Sequence, residues 1–225
     1  MYAKFFKRAL DVILSLVALV FLWPLLLVLV VLGAIKMQGN PFFTQLRPGK
    51  NEKIFKLIKF RTMSNAKDSD GNFLPDEVRL NGYGKFLRST SLDELPELIN
   101  ILVGDMSIVG PRPQLVRDMV FMTPEQRRRH SVTPGLTGLA QVNGRNNITW
   151  EQKLAYDLEY IEKITLWGDI CILWQTVAKV LKREDTVREG TVSDMDFGDW
   201  LLQKGEVTEE TYAERQKEAK ELLGV

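Results

Sequence analysis

The chain has 225 residues, of which 45% are apolar and 26% charged, an ordinary balance for one folded domain with appendages. Cys171 is its only cysteine and His130 its only histidine, which excludes an internal disulfide, a Cys/His metal site and a Ser-His-Asp or Cys-His hydrolase. The net charge of +1 conceals a segregation: Arg47, Lys50, Lys53, Lys56, Lys59 and Arg61 crowd one segment that needs an anionic partner or surface, while the tail beyond Glu206 is rich in Glu and Lys.

From Val12 to Ile35 the chain is apolar apart from Ser15, a run of about 24 residues that exceeds the ~20 needed to cross a bilayer as a helix. The run is too long for a signal-peptide core, and no Ala-x-Ala site follows it. Lys4, Lys7 and Arg8 precede it; Lys36, Arg47 and Lys50 follow it. The positive-inside rule draws both ends toward the cytoplasm, which a straight span cannot satisfy. Pro24, near the middle, removes a backbone hydrogen bond and predicts a membrane break. A helix-break-helix that re-enters the same leaflet and a spanning helix both remain open, since lipid-embedded helices tolerate proline. Asp11 is expected at the interface, paired with Lys7 or Arg8.

Beyond Gly39, Pro41 to Gln45, the turn Arg47-Pro48-Gly49 and the alternating Lys53 to Phe60 predict a short β-hairpin whose basic ribbon suits headgroups or a phosphorylated substrate. Asp68 to Asn72 reads as a polar turn, because Phe73 stands where a calcium loop needs glycine. The stretch Arg88 to Pro113 then concentrates the chemistry. Asp93 and Glu94 fall at a helix entrance, either with Ser91 as N-cap and Glu94 closing a capping box, or with Pro96 at the first helical position. Capping alone accounts for such a pair; an anionic ligand sharing the entrance, with Arg88 adding a bidentate contact, is the functional alternative. Arg112, between Pro111 and Pro113, is either a stiff surface turn or an aimed guanidinium.

Arg127 to His130 lacks interleaved aromatics and gives no case for nucleic acid. The glycines of Thr133 to Arg145 allow close backbone approach to a ligand but match no phosphate-loop fingerprint. Thr149 and Gln152 predict a capped helix with the stripe Trp150, Leu154, Leu158 and Ile161, and Asp157 lies partly off that stripe. A second helix, Trp167 to Lys182, carries Ile170, Cys171, Trp174, Val177, Ala178 and Leu181 as either core or a headgroup-level face, with Asp169 in its first turn. Beyond Glu189 the composition turns polar; a short helix closing near Gly205 and another capped by Thr208 are expected as an interaction appendage.

Seven ordered features carry a resemblance. They are Lys7-Arg8 with Asp11 before a proline-broken apolar run, Phe43-Thr44-Gln45-Leu46-Arg47-Pro48-Gly49, Lys59-Phe60-Arg61-Thr62-Met63, Ser91-Leu92-Asp93-Glu94-Leu95-Pro96, Gly104-Asp105-Met106-Ser107, Gly110-Pro111-Arg112-Pro113 and Pro134-Gly135-Leu136-Thr137-Gly138. In this order they resemble the bacterial sugar transferases, the monotopic phosphoglycosyl transferases in their small form, over about residues 1 to 185. Many members have Ser-Pro at the break, where this chain has Trp23-Pro24.

The resemblance implies transfer of a sugar 1-phosphate from a UDP-sugar to undecaprenyl phosphate, with release of UMP. It implies Asp93 as covalent nucleophile and Glu94, with Asp93, holding Mg²⁺. Lys59, Arg88, Arg112 and Arg145 are phosphate-contact candidates, with Asp157 and Asp169 as supporting acids. The expected architecture is mainly α with a small β-hairpin. Residues 1–38 form a re-entrant membrane hairpin, 39–185 a compact cytosolic catalytic domain and 186–225 a polar helical appendage that offers self-association or a partner enzyme a surface. The expected location is the cytoplasmic face of a bacterial inner membrane, in contact with phospholipid. A carboxylate can attack phosphorus and split one displacement into two. An acceptor phosphate ionised near neutral pH needs no strong base, in keeping with the missing histidine partner. A metal-dependent phosphohydrolase and a non-catalytic membrane scaffold are the rival readings. No motif reports the sugar; the likeness to small members suggests an N-acetylated amino sugar.

Overall fold

The computed structural model describes residues 2–144, 148–182 and 195–224. The apolar run forms α1 (Phe6–Lys36), which passes through Pro24 as one helical element, where two helices separated by a break were expected. Proline removes a single intrahelical bond, and the Leu-rich turns on either side are strong enough helix formers to continue.

One side of α1 lies against the rest of the chain along its whole length. Ala18, Leu19 and Leu22 pack on a core of Phe55, Leu57, Leu98, Ile101 and Met106; Leu26, Leu29 and Val30 pack with Phe60 and Leu87. Gly33 must be a glycine, because a Cβ there would stand 2.9 Å from the Cβ of Pro41. Near the start of α1 the contacts are polar. Lys7 is 2.5 Å from Asp169. Arg8 donates to the carbonyls of Ile101 and Leu102 at 2.5 and 2.9 Å. Asp11 is buried, not interfacial as expected: its carboxylate accepts from Ser107 Oγ at 2.8 Å and from Ile108 N–H at 2.9 Å. Two fixed donors satisfy a charge that lipid cannot.

The predicted hairpin forms from β1 (Phe42–Pro48) and β2 (Ile54–Phe60), in a register pairing Phe42 with Phe60 and Pro48 with Ile54. Asp68 closes its polar turn by accepting from the N–H groups of Asp70 and Asn72. After α2 (Asp76–Arg79), α3 (Gly82–Thr90) is capped by Asn81 and ends at Ser91. A 3-10 turn, Leu92–Glu94, leads into α4 (Glu97–Val103). Asn100 of α4 acts as an extra strand for the free edge of β2, accepting from Ile58 N–H at 3.1 Å and donating to Lys56 O at 2.8 Å.

The short strand β3 (Ser107–Val109) is followed by α5 (Val116–Met119) and α6 (Pro124–Arg127), and pairs in parallel with β4 (Gly135–Thr137). The glycines here serve backbone packing against the protein itself: a Cβ on Gly135 would come within 2.1 Å of Gly110 N. Beyond α7 (Leu139–Val142), α8 (Trp150–Glu162) starts with the predicted Thr149/Gln152 capping box. Its buried face is Trp150, Leu154, Asp157 and Tyr160, so Asp157 belongs to the inner side.

In α9 (Leu166–Lys182) the predicted stripe faces mostly outward: Trp174 and Leu181 are 76% and 79% exposed, as is Trp167 beside it at 73%, while Asp169 and Ile172 are buried. Helices α10 (Phe197–Lys204) and α11 (Glu209–Leu223) end at Gly205 and start at Thr208 as expected. Their apolar residues turn onto the chain's own core. Phe197 and Leu201 join Met122, Trp150 and Leu154, and Ala219 joins Val116, Met119 and Val120.

Candidate active site

Along β2, Phe55 and Leu57 point into the core, and the two-residue alternation carries Lys59 to that same side. A lysine delivered where a core residue belongs must find carboxylates. It lies 2.9 Å from Glu94 Oε1 and 3.1 Å from Glu97 Oε1. Arg112 Nη2 reaches the same Glu94 oxygen at 2.8 Å. The Glu97 contact has ion-pair distance without hydrogen-bond alignment, since Glu97 Oε1 is buried with no hydrogen-bond donor among the described residues.

The anticipated capping box does not form. Ser91 adopts a left-handed conformation (φ 55°) as it closes α3, its hydroxyl makes no cap to the following turn, and Glu94 is drawn to the cations instead. Pro96 flanks the first turn of α4, which leaves Asp93 and Glu94 in the 3-10 turn just before that helix.

Arg112 is aimed by its backbone as well as by the flanking prolines. Arg129, 1% exposed, donates to Arg112 O at 2.5 Å and grips Asp157 Oδ2 through Nε at 2.9 Å and Nη2 at 2.6 Å. Asp157 is thus linked to the Arg112 backbone through Arg129. The basic run Arg127 to Arg129 is spent on Glu52, Glu125 and Asp157. Arg88, from α3, donates Nε to Thr62 Oγ1 at 3.1 Å.

The pair is electrostatically split. Burial, then the neighbouring Glu94, pushes the Asp93 carboxyl up to about 6, against Lys59, Arg112 and Arg88. Glu94 also meets a burial penalty, but Arg112 and Lys59 outweigh it and hold its carboxyl well below the usual range. Burial and Glu94 raise Glu97 to about 7 despite Lys59. One acid is therefore locked as an anion while the other is poised below neutrality.

Lys59, Arg88, Asp93, Glu94, Arg112 and Asp157 line one open cavity of about 1050 Å³. Asp169 lies elsewhere. Its carboxylate accepts from Tyr2 Oη at 2.7 Å, Lys7 Nζ at 2.5 Å and Tyr160 Oη at 2.8 Å, contacts that anchor the start of α1 outside this cavity. Arg145 falls outside the described residues.

Arg47 and Arg61, read in the sequence as parts of a basic segment and of two motifs but not as site residues, line the cavity with buried Nε atoms that have no partner among the described residues. Glu97, Arg117, Asp118, Asp196 and Asp199 were missed; for Glu97 the three-residue spacing from Glu94 was the available signal. A second cavity, of about 300 Å³ and almost wholly apolar, adjoins the same turn and is bounded by Leu92, Glu94, Leu95, Leu136, Leu173 and Val180 among others.

Guanidinium groups and carboxylates are gathered in one cavity, a set whose charge and geometry suit phosphate groups. The chain belongs to the bacterial sugar transferase family, which its residues 2–183 match. It is 46% identical over 178 residues to the "Uncharacterized sugar transferase EpsL" of Bacillus subtilis, covering 79% of this chain and 88% of that one. It is 40% identical over 184 residues to the "UDP-glucose:undecaprenyl-phosphate glucose-1-phosphate transferase" of Klebsiella pneumoniae, covering 77% of this chain and 40% of that one. Over 200 residues it is 34% identical to the "Undecaprenyl-phosphate galactose phosphotransferase" of Salmonella typhimurium, with 81% and 42% covered. The chain spans about two fifths of the length of these last two relatives.

Proposed function

We propose that the protein transfers a sugar 1-phosphate from a UDP-sugar to undecaprenyl phosphate or a similar polyprenyl phosphate, with Asp93 as covalent carrier. The observation that carries the reading is the split pair: Glu94 fixed between Lys59 and Arg112, and Asp93 beside it with a carboxyl near 6, ionised at neutral pH. An Asp93 oxygen attacks the phosphorus that bears the sugar, the bond to the UMP oxygen breaks, and UMP leaves. An ionised oxygen of the lipid phosphate then attacks the same phosphorus, the Asp93 ester bond breaks, and a lipid-linked diphosphosugar forms with the carboxylate restored. Arg47, Arg61, Arg88 and Arg112 supply guanidinium groups around the cavity for the phosphate charges.

Mg²⁺ fits the donor set, because that ion keeps several waters and takes one or two protein carboxylates together with substrate phosphates. Asp93 and Glu94 are the residues that would hold it; among the described residues no three Asp, Glu, His or Cys side chains converge. When bound it would neutralise diphosphate charge.

The acceptor's hydrocarbon end suits the apolar cavity beside Glu94. The outward faces of α1, with Phe21 and Trp23, and of α9, with Trp167 and Trp174, suit lipid and headgroups. A monotopic placement on the cytoplasmic side of the inner membrane accounts for α1 being packed at both its ends, through Arg8 and Gly33, on the same body of protein. Packing along one side of α1, from Ala18 to Val30, supports that placement over a free-standing span.

The test is a panel of UDP-sugars supplied with and without undecaprenyl phosphate, reading UMP and lipid-linked product, with intact mass after UDP-sugar alone. A phosphosugar adduct on Asp93, lost together with turnover in Asp93→Asn, is expected. Full turnover in Asp93→Asn, or UMP release with water as the sole acceptor, would overturn the reading.

A further inference from the structure

Part of the wall of the polar cavity comes from beyond residue 183, where the family match ends. Met195, Asp196 and Asp199 line it there, although the tail was expected to be an appendage. Three contacts fix that segment to the domain. Trp150 Nε1 donates to Met195 O at 3.0 Å, Asp118 Oδ1 accepts from Phe197 N–H at 2.9 Å, and Arg117 pairs with Asp196. Phe197 stacks on Trp200 and meets Trp150 at a tilt, with centroids 5.9 and 5.1 Å away, which holds the first turn of α10 in place. Asp118 also accepts from Leu115 N–H at 3.1 Å, so the carboxylate staples α10 to α5.

Each wall carboxylate has one oxygen occupied within the protein, Asp196 by Arg117 and Asp199 by Tyr212 Oη at 2.5 Å. Among the described residues the other oxygen of each takes no hydrogen bond, and the Asp196 side chain does not cap α10. Carboxylates accept and do not donate. A hexose offers several hydroxyl donors; the nucleotide offers one uracil N–H and two ribose hydroxyls, and a UMP control separates the two.

We propose that the wall from Met195 to Asp199 selects the donor sugar, with Asp196 and Asp199 accepting hydrogen bonds from hydroxyl or N–H groups of an uncharged or amino sugar and repelling uronic acids. The inference rests on the UDP-sugar reading above. It makes the tail a determinant of specificity while the phosphate chemistry stays with the part shared across the family.

The experiment uses the full chain with undecaprenyl phosphate, comparing UDP-glucose, UDP-N-acetylglucosamine and UDP-glucuronate for wild type, Asp199→Asn and Asp196→Asn/Asp199→Asn. Asp199 is exposed, so its single variant keeps the test independent of folding. Losing a charge-assisted hydrogen bond is worth about tenfold. We expect kcat/KM for the preferred neutral donor to fall about tenfold or more in the double variant, with at least a partial fall in Asp199→Asn. Discrimination against UDP-glucuronate should narrow, while KM for the lipid and inhibition by UMP stay within about twofold. An unchanged donor ranking in both variants overturns the wall. So does a loss of UMP affinity equal to the loss in kcat/KM, which would place the wall against the nucleotide. Failure of the wild type to turn over any UDP-sugar defeats the transferase reading instead.

Discussion

Lys59 Nζ lies 2.9 Å from Glu94 Oε1 and occupies the position in β2 that the strand's own alternation assigns to the core. It is the shared cation of Glu94 and Glu97, and it lowers the proton affinity of Asp93 as well. Lys59→Met keeps the apolar stem and removes the charge. Loss of one preorganised cation is expected to reduce kcat by about 10²- to 10³-fold. Steady-state kinetics at saturating donor measure it, and a variant within about threefold of wild type would show that Lys59 is only a structural counter-ion.

Activity should follow the ionisation of Asp93. Below about pH 6 the nucleophile is protonated, so kcat/KM should fall about tenfold for each further drop of one in pH and level off above it. In Lys59→Met the acidic limb should move to higher pH, because an opposing positive charge has been removed. A pH–rate profile on both proteins shows the change; identical limbs would assign the titration to another group.

The same raised carboxyl makes Asp93 a cost to stability. The native state holds its proton more tightly than the unfolded chain does, so stability falls as pH rises from about 4 through 6. Asp93→Asn should therefore be more stable than wild type at pH 7.5 by about 1–3 kcal/mol, since each tenfold difference in proton affinity between the folded and unfolded chain is worth ~1.4 kcal/mol. The upper end is a limit because Asp93 is only half-buried. The gain should vanish below about pH 4. Thermal unfolding of both proteins at pH 7.5 and 4 reads the difference, and a destabilised Asp93→Asn at pH 7.5 contradicts it.

Arg129 and Asp157 form a buried pair in which each partner justifies the other. Arg129→Met leaves a buried carboxylate uncompensated and should cost about 3–5 kcal/mol. Adding Asp157→Leu should recover much of that stability without recovering activity, because the donor that orients the Arg112 carbonyl is still missing. Unfolding and kinetics on the two singles and the double separate these roles.

Membrane attachment should depend on the outer face of α9. Trp167→Ser with Trp174→Ser, which removes the rings without adding charge, should release a measurable share of the protein from phospholipid vesicles in a sedimentation assay, while the unfolding temperature changes by less than about 2 °C, because both rings are exposed. Unchanged sedimentation would leave α1 as the sole anchor.

Much of this was legible from the chain. The hairpin, the caps at Thr149 and Thr208, the apolar amino-terminal helix and the meeting of Asp93, Glu94, Lys59, Arg88 and Arg112 all follow from local pattern and ordered motifs. The departures have long-range causes. Ser91 satisfied the local rule for an N-cap, but Lys59 and Arg112, far away in sequence, pulled Glu94 out of the box. Asp11 and Asp169 were placed by partners more than ninety residues distant, Ser107 for one and Tyr2 and Lys7 for the other. Spacing along α9 could define a stripe without saying whether protein or lipid covers it. The tail's place at the cavity required Trp150 and Asp118 to be seen as its anchors, and neither announces that in sequence.

Arg8 binds the final carbonyls of α4, the helix that opens with Glu97 and follows the turn bearing Asp93. On the monotopic reading, this contact works as a fixed ruler between the lipid-embedded helix and the reacting carboxyl. The height at which a lipid phosphate meets Asp93 is then set by the protein, independent of how thick the opposite leaflet is. Transfer rates in bilayers of different acyl length should accordingly stay nearly constant, a tolerance that an enzyme hung from a spanning helix would not share.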